Sequence, residues 1–315
     1  KAPSLSQRSD RETTFTRRLI KDFVLNKYLY LMMVPVLSYY FIFHYGPMYG
    51  ALIAFKDYSP IKGVTGSDWA GLVHFESFFK SYYFWRIFKN TILLSLYTIC
   101  FEFPAPILLA VLINEVRSRF FKKIVQSVSY MPYFISMVVI CGMIKDFTNS
   151  GGVINSIWVF FGGDGNAMLQ KPELFRTLYV VSEIWQKIGW ESIIYIAVLM
   201  SIDQEQYEAA KIDGAGRWKQ ITHITLPGLV PIIMTMLILR LGNLLNLGFE
   251  KIILLYNPVT YETADIISSF VYRKGLLEFG WSYSAAVGLF NSVINLALLI
   301  SANHLSKRFN GNSLW

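Results

Sequence analysis

The sequence predicts an all-α membrane protein with six transmembrane helices, and three observations lead to that prediction. Hydrophobic residues make up 54% of the 315-residue chain and charged residues only 16%, against roughly 25% charged residues in soluble domains. The apolar residues cluster in six segments, each long enough to cross a hydrocarbon core that needs about 20 residues of helix. The basic residues are also divided unevenly between the loops that join these segments.

The six apolar segments differ in the charges that they carry. The first, third and sixth contain no Asp, Glu, Lys or Arg, whereas the fourth carries three charged residues in its first half. The second and fifth are interrupted by isolated charges, and the second also contains two prolines. We expect the spans at residues 28–55, 90–113, 124–144, 178–202, 229–255 and 279–306.

The distribution of Lys and Arg predicts the orientation of the chain. Sixteen of these residues lie in the segments on one side of the predicted spans and nine lie on the other side. Because basic loops remain in the cytoplasm, we expect a multi-pass protein with both termini cytoplasmic. The predicted divisions are a basic cytoplasmic segment at 1–27, a six-helix transmembrane domain at 28–306 and a cytoplasmic tail at 307–315.

The first 27 residues are too polar to contain a cleavable signal peptide. We expect their basic side chains to contact lipid headgroups rather than a specific partner.

The composition and the motifs argue against several other functions. The four histidines are scattered and form no metal-binding pattern, and no pairing of a nucleophile with a base indicates an enzyme. The net charge of +8 could suggest binding to nucleic acid, but in a membrane protein the basic loops account for it. The sequence therefore predicts no catalytic residue, no metal site and no nucleic-acid partner.

One polar loop, at residues 201–227, lies between the fourth and fifth spans. Asp203 followed three residues later by Gln206 predicts a capping box that starts a short helix. Gly214 and Gly216 supply the backbone freedom that ends a helix at about Asp213. We expect a second helical turn at 217–222, after which Leu226-Pro227 begins the fifth span.

The same loop carries a spaced motif. It reads Glu208-Ala209-Ala210, three residues, Gly214, nine residues and then Ile224-x-Leu226-Pro227. At every specified position it resembles the cytoplasmic EAA loop of binding-protein-dependent ABC importer permeases. The segments 243–258 and 261–268 are also typical of sugar permeases of this kind, above all those for complex oligosaccharides and uronates such as alginate. The resemblance covers about residues 28–310.

The resemblance implies the type I ABC importer permease fold in the bacterial inner membrane, with a coupling helix that docks on a cytoplasmic ATPase. The residues implied in ATPase coupling are Glu205, Tyr207, Glu208, Ala209, Ala210, Asp213, Gly214 and Arg217. The chain contains no Gly-Lys dipeptide and so no Walker A motif. ATP and Mg²⁺ are therefore expected on partner subunits, with no cofactor bound by this chain. The implied partners are a second homologous permease, two ATP-binding subunits, an extracytoplasmic solute-binding protein, an oligosaccharide substrate and membrane lipid.

Ionisable residues within the spans are candidates for the substrate pathway, because a charge stranded in lipid costs about 2.5–3.5 kcal/mol. Glu183, Lys187 and Glu191 share one helix face. Aromatic side chains suit sugar rings, and charged or amide groups suit hydroxyls. We expect the residues 240–250 to present a second polar face of one helix. The predicted pathway residues are Trp185, Lys187, Trp190, Glu191, Tyr195, Arg240, Asn243, Asn246 and Glu250.

Two alternatives remain open at this stage. Lys187 and Arg240 could meet the carboxylates of an acidic sugar, or they could be purely structural. In the structural case Lys187 would pair with Glu183 or Glu191, and Arg240 with Glu102 or Glu250. The other alternative concerns function: a secondary transporter driven by an ion gradient would use the buried carboxylates as a relay, but would leave the EAA-like loop unexplained.

Overall fold

The computed structural model describes residues 21–310, apart from the side chains of Leu305 and of residues 308–310. Nearly all of this part of the chain is helical, with a single two-stranded antiparallel sheet. The helices and strands are α1 Lys27–Phe55, β1 Lys56–Asp57, α2 Gly63–Gly66, β2 Asp68–Trp69, α3 Val73–Lys80, α4 Tyr82–Glu115, α5 Arg119–Tyr130, α6 Met137–Thr148, α7 Val153–Phe160, α8 Pro172–Ser201, α9 Gln204–Ile212, α10 Arg217–Gly242, α11 Phe249–Leu255, α12 Tyr261–Ala264, α13 Ile267–Tyr272 and α14 Trp281–Asn310.

Most of the predicted membrane-crossing helices are present. Five stretches of the described residues are long and apolar enough to cross a membrane: Lys27–Phe55, Tyr82–Glu115, Met137–Phe160, Arg217–Gly242 and Trp281–His304. Helix α8 is another long helix, with 30 residues and thus a length of about 45 Å. Its charged residues keep its hydropathy below that of the other five, but its length suffices to span.

The predicted third span, 124–144, is not one helix. The chain instead forms α5, a 3₁₀ turn that contains Pro132, and α6. The backbone of Ile135 is extended, with ψ at 136°, and the Ser136 hydroxyl caps the start of α6. The stretch that is long and apolar enough to span is Met137–Phe160. The prediction was wrong because apolar composition alone does not register the break beside a proline.

The predicted fifth span, 229–255, has both ends wrong. Helix α10 already begins at Arg217 and continues through Pro227, so the helical turn predicted at 217–222 is present as the first part of this helix. The helix then ends at Gly242, and residues 243–248 are not helical. Helix α11 follows as a short separate element. The polar residues after 242 therefore lie on an irregular segment between two helices.

Three of the long helices contain a π-helical segment followed two residues later by a proline. The segments are Phe41–Tyr45, Thr98–Glu102 and Ile221–Thr225, and the prolines are Pro47, Pro104 and Pro227. A proline inside a helix cannot donate an N–H, and its ring crowds the carbonyl four residues earlier. In each case that carbonyl belongs to the middle residue of the π segment. The wider turn moves the carbonyl aside, so the helix continues past the proline.

Helix α8 lies at the centre of the bundle. Near its start, Phe175 and Tyr179 pack in a buried cluster with residues of α4, α6 and α11. Near its end, Tyr195 and Leu199 pack with α4 and α10. A third cluster, around Phe78, joins α3, α4, α13 and α14. Because α8 contacts elements along its whole length, the polar residues in its middle, such as Glu183 and Gln186, are buried.

The apolar side chains of α1 point outward. None of the apolar window of this helix is buried, and Met32 and Phe41 are exposed to 75% and 68%. In water such a surface would be unfavourable, whereas lipid or an apolar partner helix covers it without cost.

Candidate functional site

A row of charged side chains follows one face of α8, as the sequence predicts. Glu183 is buried and forms an ion pair with Lys187, one helical turn further on. Its other oxygen, Oε1, lies 2.9 Å from Nζ of Lys251 on α11. Lys251 is completely buried, and its ammonium lies 5.5 Å from the centre of the Tyr179 ring. Glu183 is thus held between two lysines from different helices.

The row continues onto α4 and α10. Arg240 Nη2 lies 2.5 Å from Glu102 Oε1, and Arg240 Nη1 lies 3.9 Å from Glu191 Oε1. Lys187 Nζ lies 4.0 Å from Glu102 Oε1. Basic and acidic groups therefore alternate from Lys251 through Glu183, Lys187, Glu102 and Arg240 to Glu191, and we call these six residues the ion chain.

The ion chain decides between the pairings that the sequence left open. Lys187 pairs with Glu183 and approaches Glu102, while Arg240 pairs with Glu102 and approaches Glu191. Glu250 is exposed at the first turn of α11, and among the described residues no ion pair includes it. Because charges removed from water are stable only when they are paired, these contacts fix how α4, α8, α10 and α11 meet.

Two cavities adjoin the ion chain. The larger cleft has a volume of about 720 Å³, within the range of small-molecule sites. Its lining residues are Phe103, Trp190, Glu191, Ile193, Ile194, Tyr195, Met236, Leu239, Arg240 and Asn243. A smaller, more polar cavity of about 120 Å³ is lined by Thr98, Glu102, Tyr179, Glu183, Lys187, Arg240, Asn243, Leu244, Asn246, Leu247 and Gly248. Arg240 and Asn243 lie on the walls of both.

Not every predicted pathway residue reaches these cavities. Trp185 lies instead on a separate, almost wholly apolar groove beside α6 and α7. Asn243 and Asn246 do line the cavities, but not on a helix face shared with Arg240 and Glu250, because α10 ends before them. Asn246 Oδ1 accepts a hydrogen bond of 2.8 Å from Asn291 of α14. The predicted single polar face of residues 240–250 was therefore wrong.

The aromatic side of the larger cleft is built by two elements. The ring of Trp190 stacks on Tyr133, with ring centres 4.7 Å apart and planes inclined by 6°. Phe134 meets the same Trp190 edge-on at 5.5 Å. The sequence gave no reason to expect Tyr133, because this contact depends on the break that ends α5. It fixes the position of the indole beside Glu191.

Lys251 was also missed by sequence reasoning, which did not include it among the predicted pathway residues. The structure buries it completely against Glu183. One local signal was present: Lys251 is followed directly by four apolar residues, Ile252–Leu255.

A second ionic cluster joins α13 to α4. Asp265 is completely buried and accepts hydrogen bonds of 3.2 and 2.5 Å from the guanidinium of Arg273. Arg86 Nη2 lies 3.7 Å from the same carboxylate, and Asn90 donates to the backbone carbonyl of Asp265 at 3.1 Å. This cluster lies apart from both cavities and fixes the segment between α12 and α13.

The EAA-like loop forms the helix that the sequence predicts. The Asp203 carboxylate caps α9 by accepting from the Glu205 N–H at 3.0 Å. At the other end Gly214 adopts φ of 75° and donates to the Lys211 carbonyl at 3.1 Å, and Ala215 donates to the Ala210 carbonyl at 2.8 Å. These two bonds are those of a Schellman motif. The helix ends at Ile212, one residue before the predicted end.

The surface of α9 is largely open. Tyr207 and Ala210 are partly buried, and the Tyr207 hydroxyl lies 3.0 Å from that of Thr225, which is completely buried in α10. The other predicted coupling residues are exposed: Glu205, Glu208, Ala209, Asp213, Gly214 and Arg217. Two large apolar side chains beside them are exposed as well, Ile212 to 87% and Trp218 to 76%.

The features described above indicate the class of protein. The structure combines a bundle of membrane-length helices, charged groups on the wall of a cleft and an exposed helical loop between two spans. This combination is typical of a multi-pass membrane transport protein. A family model described as "Binding-protein-dependent transport system inner membrane component" matches residues 102–311. The chain belongs to this family, the permeases of ABC importers.

Relatives and solved structures agree with this assignment. The polygalacturonan/rhamnogalacturonan transport system permease protein YteP of Bacillus subtilis (strain 168) is 44% identical over 95% of this chain and 94% of its own length. Protein LplB of the same organism is 43% identical over 92% of each chain. A crystal structure of a bacterial ABC transporter involved in the import of the acidic polysaccharide alginate has a TM-score of 0.86 at 45% identity, covering 93% of this chain and 99% of the other.

A second solved structure is that of a bacterial alginate ABC transporter in complex with an alginate pentasaccharide-bound periplasmic protein. It matches with a TM-score of 0.87 at 44% identity, over 94% of this chain and all of the other. The chain is thus a permease of the sugar-importing kind, and the alternative of a transporter driven by an ion gradient loses its support.

Proposed function

We propose that this chain is one of two permease subunits of an ATP-driven importer that carries acidic oligosaccharides, built from uronates, across the bacterial inner membrane by alternating access. The observation that carries the proposal is the position of Arg240. Its guanidinium lies on the wall of the larger cleft, 30% exposed, beside Trp190 and Asn243.

The cleft has the groups that a uronate requires. A guanidinium offers a planar fork of donors that matches a carboxylate, and an exposed indole offers a flat face for the sugar ring. Asn243 adds an amide for hydroxyl groups. Alginate and polygalacturonan, the substrates named for proteins at about 45% identity, are both polymers of uronic acids, which supports the same substrate class here.

The proposed assembly has further subunits. It comprises a second homologous permease, two ATP-binding subunits that hold ATP and Mg²⁺, and an extracytoplasmic solute-binding protein. The presence of a periplasmic binding protein in the related alginate transporter supports the last of these. Both termini of this chain and the EAA-like loop lie in the cytoplasm in this arrangement, as the excess of basic residues favours.

Helix α9 and the turn after it form the proposed docking surface for an ATP-binding subunit. Ile212 and Trp218 provide apolar area on either side of Gly214, and Glu208 provides a charge on the same exposed element. Such a mixture of an aromatic anchor with flanking polar groups is typical of protein interfaces. The cap at Asp203 and the Schellman motif make α9 a preformed element, which reduces the entropy lost on docking.

Reconstitution of the complete complex tests the coupling. Proteoliposomes that contain ATP should take up a labelled uronate trisaccharide in the presence of its binding protein. We expect Glu208→Lys to reduce both uptake and ATP hydrolysis by at least tenfold, because it reverses a charge within the docking surface. Lys123→Glu, which reverses an exposed charge on α5 outside this surface, is the matched control and should retain most activity. Full uptake by the Glu208→Lys complex would refute the docking role.

The substrate class needs a separate test. We expect the complex in lipid nanodiscs to bind the uronate trisaccharide more tightly than its carboxyl-reduced counterpart, and Arg240→Gln to abolish the difference. Lys80→Gln changes an exposed lysine on α3 that lies far along the chain from the cleft, and it should preserve the difference. Equal binding of both sugars by the wild type would contradict an acidic substrate.

A further inference from the structure

The two edges of the Arg240 guanidinium are occupied unequally. Nη2 lies 2.5 Å from Glu102, whose side chain is only 2% exposed. Nη1 lies 3.9 Å from Glu191, whose side chain is 33% exposed. The first is a short ion pair, whereas the second is beyond hydrogen-bonding distance and is a loose ion pair. One edge of the guanidinium is thus fixed, and the other is covered only loosely.

Glu191 differs from the other acids of the ion chain in its surroundings. Glu102 and Glu183 are buried and each contacts two basic groups. Glu191 contacts Arg240 alone within the ion chain and lines the larger cleft. A rotation of its side chain would carry the carboxylate into the cleft without breaking any of the short pairs.

The charges of the ion chain give this loose pair a consequence. Its three acids and three bases balance, so the resting network is neutral. Without Glu191 the cleft wall would carry one unbalanced positive charge at Arg240. Because the effective dielectric constant near a protein surface is lower than that of bulk water, such a cation attracts any carboxylate. A permease, however, must release its substrate on the other side of the membrane.

We propose that Glu191 is an exchangeable counter-ion for Arg240, which a carboxylate of the sugar replaces when it binds. The inference rests on the proposed function and adds a residue that sets specificity and release. A sugar carboxylate gains the loosely covered edge of the guanidinium, while Glu191 moves aside toward the cleft. When the sugar leaves, Glu191 returns, so that the guanidinium is never left bare. A neutral sugar has no group that can complete the exchange.

The exchange predicts opposite effects on binding and on turnover. In Glu191→Gln the competing carboxylate is lost, so we expect the uronate trisaccharide to bind about tenfold more tightly, which corresponds to about 1.4 kcal/mol. The maximal rate of uptake should fall, because release of the tightly held sugar becomes slower. Binding of the carboxyl-reduced trisaccharide should not change.

Equilibrium binding to the complete complex in nanodiscs and ATP-driven uptake in proteoliposomes together test the exchange. Glu191→Asp keeps the charge but shortens the side chain, so its affinity for the uronate should lie between those of the wild type and Glu191→Gln. It also remains informative if Glu191→Gln folds poorly. Glu173→Gln, at the exposed first turn of α8, is the matched control and should bind like the wild type.

Three results separate the possible failures. Weaker uronate binding by Glu191→Gln, or an equal change for both sugars, would overturn the exchange and indicate a direct contact of Glu191 with sugar hydroxyls. Wild-type affinity and wild-type uptake in Glu191→Gln would overturn it too, while leaving the proposed function intact. If the wild-type complex itself binds no uronate, the proposed function fails and the exchange fails with it.

Discussion

Gly189 of α8 lies directly against the backbone of α5, and its replacement by alanine tests the packing of the cleft. A methyl group on Gly189 would overlap the backbone carbonyl of Ser129, and it would also crowd the backbone nitrogen of Tyr130. The obstacle is backbone, so no change of rotamer relieves it. Helix α5 would have to move away from α8.

Two effects of opposite sign set the magnitude. Alanine favours the helical state over glycine by about 1 kcal/mol, whereas forcing extra volume into a packed contact costs about 1–3 kcal/mol. Because a backbone contact lies at the upper end of that cost, we expect Gly189→Ala to destabilise the protein by about 1–2 kcal/mol. The shift should also disturb the stack of Trp190 on Tyr133, and with it the aromatic wall of the cleft.

Gly288→Ala is the matched control. Gly288 also lies within a long helix, α14, but a methyl group there would meet no other atom within 4 Å. This variant should therefore be as stable as the wild type or more so. The assay is the thermal unfolding midpoint of the complex in detergent, followed by uptake in proteoliposomes. If Gly189→Ala unfolds at the same temperature as Gly288→Ala and transports normally, the described contact between α5 and α8 does not exist.

Three further substitutions address the other contacts of the structure. Tyr207→Phe removes the hydroxyl that lies 3.0 Å from that of Thr225, and with it a hydrogen bond worth about 1 kcal/mol. We expect this variant to take up less sugar per ATP hydrolysed. An unchanged ratio of uptake to ATP hydrolysis would show that this bond is not part of the coupling. Glu102→Ala removes the carboxylate that pairs closely with Arg240 and should lower the free energy of unfolding by about 3–5 kcal/mol. Glu102→Gln keeps a hydrogen-bond acceptor and should lower it less. Equal unfolding temperatures of the two variants would contradict the pairing. Asp265→Asn breaks the ion pair with Arg273 inside a buried site. It should lower the unfolding temperature far more than Asp57→Asn, which changes an exposed residue. A larger decrease for Asp57→Asn would contradict the assigned burial.

Interactions close in sequence were the ones that the sequence could predict. Asp203 caps α9, and Gly214 ends it in the left-handed conformation that a Schellman motif needs. Both features arise within a dozen residues of chain, and they depend on the chemistry of one side chain and on one missing Cβ. The helix of the EAA-like loop was therefore correct to within one residue at its end.

The ends of the spans were less predictable, because hydropathy does not distinguish a continuous helix from two short ones. The segment around Pro132 contains no charged residue, yet the chain breaks there. Pro227, in contrast, lies within a continuous helix, because the π segment before it removes the clash. Whether a proline breaks a helix thus depends on a local relaxation that composition does not reveal.

The partners in the ion chain could not be assigned from the sequence for a different reason. The spacing of Glu183 and Lys187 predicts that they share a helix face, and they do pair. Arg240 pairs with Glu102 rather than Glu250, and Lys251 lies beside Glu183. Both contacts depend on how four helices pack. Only the three-dimensional arrangement supplies that information.

Helix α10 connects the two parts of the proposed function in one rigid element. Near its start lies Thr225, whose hydroxyl is 3.0 Å from that of Tyr207 on α9, and near its end lies Arg240 on the wall of the cleft. At a rise of about 1.5 Å per residue, the two positions lie about 22 Å apart along the helix axis. Movement of α9 by an ATP-binding subunit would therefore reach Arg240 through the displacement of one helix. Glu102 lies on α4, so that displacement would act first on the ion pair of Glu102 with Arg240. In the proposed function, this pair leaves the other edge of the guanidinium open to the sugar.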